Sequence, residues 1–268
     1  MGYLMADLTV RELEQIIKST GTVIVPVGSV EQHGYHLPLS SDIYNATQVP
    51  YKVSKYINAV IAPPLNYSYS GGMLTGTINV SPQSITSILT DILAELARMG
   101  FKNLCVYMGH GGTYNLFAVE TAFRMIPKRR PDLKELTFAM IKSWETSSSW
   151  MEILNNGVDD GNDYHAGLVE TSLMMCWAPE LVRSEIAVDK PEIAHMLCTN
   201  PDWYEEAYRS IDHPFIVPYY QQREGIKVGV MGFPEKASCE LGKKIIKEME
   251  QGLIDFIGVL NEKTGFTR

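Results

Sequence analysis

Short apolar runs rich in β-branched residues punctuate the first 141 positions: TVIVPV at 22–27, AVIA at 59–62, NLCVY at 103–107 and ELTFAMI at 135–141. Runs without polar alternation are the pattern of strands buried on both faces. Between them the apolar period lengthens to that of an amphipathic helix. The clearest case is 82–99, where Ile85, Ile88, Leu89, Ile92 and Leu96 share one stripe. Ser81 can cap its start, Pro82 fits the first turn, and Gly100 can close its end. Similar patterns predict helices over about 8–18, 43–57, 114–125 and 167–177, with a long final one near 235–260. Strands alternating with amphipathic helices predict an α/β fold, a largely parallel sheet with helices on both faces. The stretch 195–225 has no clear period but carries Trp203, Tyr204, Tyr208, Tyr219 and Tyr220. It is too aromatic for a solvated linker, and reads as a lid, a subunit interface or a cover for the core.

Composition narrows the function. The chain has 268 residues, 45% of them hydrophobic, enough for a sizeable core. Its 31 acidic and 23 basic residues leave a formal charge of −8, which disfavours phosphate backbones and anionic lipid as partners. No stretch approaches the roughly 20 apolar residues of a membrane span, and the start of the chain lacks the pattern of a signal peptide. The four cysteines, Cys105, Cys176, Cys198 and Cys239, form no CxxC pair and read as reduced thiols. The expectation is a soluble cytoplasmic protein that binds neither nucleic acid nor membrane.

In an open parallel sheet, chemistry gathers beyond the carboxyl ends of the strands. There the chain places its suspicious residues. Strand 22–27 is followed by Glu31, His33, His36 and Asp42, and strand 103–107 by His110 among Gly109, Gly111 and Gly112. Glu31 and His33, two apart, point the same way on an extended chain. An imidazole and a carboxylate so placed can meet one metal or two adjacent ones, and Asp42 can bridge two cations with its two oxygens. The glycines permit close backbone approach and unusual dihedrals around His110. Such a mixed set suits Zn²⁺, Mn²⁺ or Fe²⁺. Each residue also has a plainer reading: an ExH pair alone is weak, and Asp42 fits a helix N-cap. In NDYHAGLVETSLMM, His165 can pass protons near neutrality or serve as a hydrogen-bonded structural histidine. Glu170 falls near a helix start, which also suits a structural carboxylate.

Taken together, PVGSVEQHGYHLPLSSD (26–42), GHGG (109–112), HAGLVETS (165–172) and, more weakly, GVMGFPEKAS (229–238) resemble the creatininase (creatinine amidohydrolase) family over nearly the whole chain. The resemblance implies a single domain over 1–268, folded as a three-layer αβα sandwich with a mostly parallel sheet. It implies a site with two divalent metal ions (Zn, Mn or Fe), hydrolysis of a cyclic or linear amide, and a homo-oligomer, often a hexamer. By position, Glu31 and His110 correspond to ligands of one metal, His33 to a ligand of the other and Asp42 to the bridge. Glu170 corresponds to the glutamate that closes the site as a ligand, and His165 to the proton-transfer residue; these two make the catalytic pair.

The chain also departs from that pattern. Gly112 stands where creatininase itself has a glutamate ligand, Gly161-Asn162 replaces a Trp-Asp pair, and Thr113 replaces a common Asn. Leu74-Thr75-Gly76-Thr77 replaces FPGT, without the histidine that precedes it. A retained metal core with a rebuilt pocket implies a substrate other than creatinine. Trp144, Tyr67, Tyr69 and Tyr164 are candidate pocket walls. Two rivals to amide hydrolysis are ring-opening carbon–carbon hydrolysis of a cyclic ketone or keto-inositol, and a non-catalytic ligand-binding paralogue.

Overall fold

The computed structural model describes residues 3–159 and 161–266. In chain order the elements are β1 (Tyr3–Leu4), α1 (Val10–Ile17), β2 (Thr22–Val27), α2 (Ser41–Val53), β3 (Val60–Ile61), α3 (Pro82–Met99) and β4 (Asn103–Met108). They continue with α4 (Thr113–Arg129), β5 (Thr137–Lys142), α5 (Ser148–Asn156), α6 (Leu168–Trp177), α7 (Pro191–Thr199), β6 (Glu205–Tyr208), β7 (Tyr219–Gln222) and α8 (Cys239–Thr264). All four apolar runs become strands. Together with β1 they form one parallel sheet in the order β1-β3-β2-β4-β5.

Local signals account for the element ends. Thr9 and Glu12 form a reciprocal capping box at α1, and Ser81 accepts the Ser84 N–H at α3. Gly100 ends α3 with φ +119°, a conformation in which a Cβ would be strained. Alternate residues of the buried strands serve opposite layers. Val23, Val25 and Val27 pack with Ile85, Leu89 and Leu93 of α3 and with Val119 and Ala122 of α4, beside α1. Ile24, Cys105 and Tyr107 face Val49 and Val53 of α2, Leu173 of α6, and Ile245, Met249 and Leu253 of α8. The three-layer αβα sandwich follows from these two faces.

Three features were not anticipated: the short β1, helix α5, and the β6–β7 antiparallel ribbon inside the aromatic stretch, with α7 leading into it. That stretch is neither wholly cover nor wholly lid. Tyr204 is buried, whereas Tyr208, Tyr219 and Tyr220 are exposed on the ribbon.

Strand order locates the site. The chain leaves β2 toward β3 on one side, then crosses back over α3 to β4 on the other. The loops after β2 and β4 therefore diverge and leave a crevice between the two strands. The register aligns Val27 with Met108, and the Gly109 N–H donates to the Val27 carbonyl (2.9 Å). The polar segments 28–40 and 109–112 thus start side by side.

Candidate metal centre

Gly109 sets the packing at the crevice. A Cβ there would fall against the backbone of Asp42 and Ala46, so α2 can lie directly on the β4 loop. The Asn45 side chain then donates to the Gly109 carbonyl (2.8 Å). Asp42, in the first turn of α2, lies beside His110 in consequence. The close approach expected of these glycines is present, but the unusual dihedrals are not: Gly109, Gly111 and Gly112 all lie outside the positive-φ region. The Asp42 N-cap reading also yields, because Ser40 holds that position.

Two groups of potential donors result, Glu31 with Asp42 and His110, and His33 with His165 and Glu170. His110 Nδ1 lies 3.0 Å from Glu31 Oε2 and 3.1 Å from Asp42 Oδ2. His33 Nε2 lies 3.4 Å from Asp42 Oδ1 and 3.6 Å from Glu170 Oε2. Each oxygen of Asp42 therefore faces a different histidine. Donors bound at 2.0–2.1 Å to one small tetrahedral cation stand about 3.3 Å apart, so these separations match neighbouring ligands.

The ring nitrogens are oriented by bonds on their far sides. His33 Nδ1–H donates to the Glu31 carbonyl (3.1 Å), leaving Nε2 as a lone pair toward Asp42. His110 Nε2–H donates to the Tyr69 carbonyl (3.1 Å), leaving Nδ1 as the acceptor. Such partners fix the tautomer of a metal-ligating imidazole. Ser70 Oγ donates to Glu31 Oε1 (2.7 Å) and leaves Oε2 free. Glu31 Oε2, His33 Nε2 and Asp42 Oδ2 are buried with no hydrogen-bond partner. Three such atoms aimed at one small volume are costly unless a cation or a proton serves them.

Electrostatics carry the same signature. Burial alone would raise the Asp42 carboxyl, but His33 and His110 outweigh it and hold it well below the usual range. Burial likewise opposes charge on His33, yet Asp42, Glu170 and Glu31 push it up to about 10, so that without a cation a proton takes the place of the metal on Nε2. Burial is the leading influence on Glu170 and raises it despite His33 and His165. Three carboxylates packed together demand positive charge.

His165 follows Tyr164 on a loop held to Met231: the His165 N–H bonds the Met231 carbonyl (3.1 Å) and the Met231 N–H bonds that of His165 (2.8 Å). This pairing explains why 229–238 matched as a fourth motif. The ring's Nε2–H donates to the Gln32 carbonyl (2.8 Å), so Nδ1 is its acceptor. The turn into α6 falls on Ala166, at φ +53°, and not on the neighbouring Gly167. In that conformation the Ala166 N–H donates to Glu170 Oε2 (2.6 Å). Asp163 accepts the N–H groups of Leu168, Val169 and Phe233 and pins the start of α6.

The centre forms the floor of a cavity of about 700 Å³. Trp144 and Tyr164 line it as expected; Tyr67 and Tyr69 do not, although the Tyr69 carbonyl orients His110. Tyr204 and Tyr220 bring the aromatic stretch into the wall. His36 lies outside the centre: its Nε2 pairs with Thr171 Oγ1 (3.0 Å), and burial lowers it to about 4. The sequence reading missed Gln32, Ser70 and Asn45. Gln32 stood between two suspected ligands, a placement that was the available signal; Ser70 and Asn45 had none.

Comparison with known proteins follows the same lines. The family model described as creatinine amidohydrolase, named creatininase, matches residues 6–257. The chain is 26% identical over 266 residues to a creatinine amidohydrolase from Pseudomonas putida, covering 94% of this chain and 95% of that protein. It is 24% identical over 272 residues to a 3-dehydro-scyllo-inosose hydrolase from Thermotoga maritima, covering 96% and 81%. The crystal structure of a creatinine amidohydrolase (creatininase) matches with a TM-score of 0.76 at 24% identity, over 97% of this chain and 98% of that one.

Proposed function

The chain belongs to the creatininase family of hydrolases, and from that premise we propose that it is a metal-dependent hydrolase acting on a cyclic or linear amide other than creatinine. The observation that carries this reading is the convergence of Glu31 Oε2, His33 Nε2 and Asp42 Oδ2, buried and without hydrogen-bond partners, in one small volume. Those donors fit two divalent ions. Glu31, His110 and Asp42 would hold one, and His33, Glu170 and Asp42 the other. Zn²⁺, Mn²⁺ and Fe²⁺ all suit such a mixed set. Bound there, the ions would polarise a carbonyl and acidify water.

The chain's own groups supply the rest. His165 Nδ1 is the ring's available acceptor, because Nε2–H is engaged by the Gln32 carbonyl. It takes the proton shed by the attacking water and returns it to the leaving nitrogen, without which an amide anion is a poor leaving group. Gln32 also donates to the Tyr204 hydroxyl (3.1 Å), which ties the histidine's support to the cavity wall. Trp144 and Tyr164 offer flat apolar faces to a substrate ring, and Tyr204 and Tyr220 add further aromatic wall. None of the described lining residues is Lys or Arg, whereas Asp202 and Glu205 add carboxylates near the mouth. Neutral or cationic substrates are favoured accordingly.

The relative named as a 3-dehydro-scyllo-inosose hydrolase supports a second reading, opening of a cyclic ketone by carbon–carbon cleavage. Gly112 fits either, since the glutamate of creatininase is missing. The test is metal-free protein reloaded with Zn²⁺, Mn²⁺ or Fe²⁺ and assayed on lactams, formamides and keto-cyclitols. Amide turnover restored by one of these ions is the expected result. Opening of keto-cyclitols alone selects the second reading. Folded protein that binds no divalent ion and turns over nothing rejects both and leaves a ligand-binding paralogue.

A further inference from the structure

Cys176 and Cys239 are 63 positions apart with no spacing motif between them, yet their sulfur atoms lie 3.3 Å apart where α6 packs on α8. The Cys176 sulfur is also 3.3 Å from the Cys239 carbonyl oxygen. Gly242 permits this approach, since a Cβ there would lie 2.9 Å from the Cys176 sulfur and against the Ser172 carbonyl. Both thiols are half-buried and line a second cleft, about 770 Å³, separate from the cavity over the metal centre. Lys52, Lys243, Lys247 and Glu250 line the same cleft. Lys52 pairs with Glu250 (2.7 Å), which leaves Lys243 and Lys247 as its net charge.

The two sulfurs are not equivalent. Cys239 is the first residue of α8, after the N-cap Ser238, whereas the Cys176 S–H donates to the Cys239 carbonyl oxygen. Burial, with the neighbouring Cys239, pushes the Cys176 thiol up to about 11. The Cys176 S–H is thus engaged by the Cys239 carbonyl, and Cys239 is the sulfur left to attack.

We propose that Cys176 and Cys239 are a thiol–disulfide modification site, oxidised by an anionic low-molecular-weight disulfide of the glutathione type that docks on Lys243 and Lys247. The Cys239 thiol gives its proton to water and its sulfur attacks one sulfur of the oxidant, whose S–S bond breaks and releases one thiolate. That thiolate takes the Cys176 proton. The Cys176 sulfur then displaces the second small thiolate from Cys239, which picks up a proton from water. The protein loses two electrons and two protons, and one small disulfide becomes two thiols. The new bond ties the last turn of α6, whose first turn carries Glu170, to the start of α8.

The site is tested by equilibrating the full chain with mixtures of reduced and oxidised glutathione, then measuring intact mass and mapping peptides. The expected product is lighter by two hydrogen atoms, contains a linked Cys176–Cys239 peptide, reverts with dithiothreitol and melts at a higher temperature. Cys176→Ser should stop at a mixed disulfide on Cys239. The double variant Lys243→Glu/Lys247→Glu should react about tenfold more slowly with glutathione disulfide, the scale of electrostatic steering, and at an unchanged rate with uncharged hydroxyethyl disulfide. Wild-type protein that keeps both thiols, or accumulates only the mixed disulfide, overturns the pair without recourse to any variant. Equal slowing with both oxidants overturns the anionic docking.

Discussion

At the scale of single residues, function depends on which lone pairs are left free. Ser70, Tyr69 and the Glu31 carbonyl each occupy one side of a donor and aim the other at the centre. His165 differs, with Nε2–H held by Gln32 and Nδ1 left to carry a proton. His165→Ala should accordingly bind metal with wild-type stoichiometry while kcat falls by a factor of about 10²–10⁴. Elemental analysis and steady-state kinetics check the two halves, and retained turnover removes His165 from proton transfer. Gly112 matters for space. A Cβ there would stand 2.5 Å from His110 Nε2 and 3.0 Å from the Tyr69 carbonyl, inside the bond that orients the imidazole. Gly112→Ala should weaken metal binding by about 10–100-fold, the usual cost of disturbing an orienting partner. Competition with a chelating dye measures it, and an unchanged affinity would show that His110 needs no such restraint. Of these features the donor types were readable in the sequence. Their tautomers and the space around them were not, because both depend on backbone carbonyls from other segments.

Elements decide where those residues stand. The strands β2, β4 and β5 and helix α3 could be placed nearly to the residue, since their burial patterns and caps are local. Helix α5 has a local cap, the Ser147 hydroxyl accepting the Trp150 N–H (3.1 Å), but much of its N-terminal support comes from a partner distant in sequence. Glu248 of α8 accepts the Ser149 N–H (2.8 Å) and the hydroxyls of Ser147 (2.7 Å), Ser148 (3.3 Å) and Ser149 (2.7 Å). Burial works against the Glu248 carboxylate, but the bonds from Ser149, Ser147 and Ser148 outweigh it and lower its pKa from the ordinary 4.5. A carboxyl lowered on folding stabilises above its unfolded pKa and loses that contribution as pH falls through the folded value. Glu248→Gln should therefore cost about 1 kcal/mol at pH 7. The gap from wild type should narrow as pH falls below the ordinary 4.5 and through the lowered value in the folded protein. Urea melts at both pH values test this, and a pH-independent gap would assign the loss to packing. The turn before α6 was not legible: the positive φ falls on Ala166, while the neighbouring Gly167 is needed for its close approach to Asp163 and Gly232.

For the whole molecule, the sheet order is what assembles the centre. Asp42 belongs to α2, His110 to the loop after β4, and Glu170 to α6, and only their shared edge brings them together. Because Asp42 faces His33 with one oxygen and His110 with the other, Asp42→Ala should lose both metals at once. The thermal stabilisation that added metal confers on the wild type should vanish with them. Loss of a single equivalent would refute the bridge. Among the described residues no helix is long and apolar enough to cross a membrane. The sequence by itself determined the parallel αβα sandwich, since burial on two faces and helical period are written in neighbouring residues. It also determined the donor types, through motifs that match one family. Tertiary structure alone decided which potential donors stand together, which nitrogen of each histidine faces them, what walls the cavity, and that Cys176 meets Cys239. Those outcomes follow from the crossover between β2 and β4 and from helix packing over long separations, and chemistry within a few ångströms cannot be read from positions scores of residues apart.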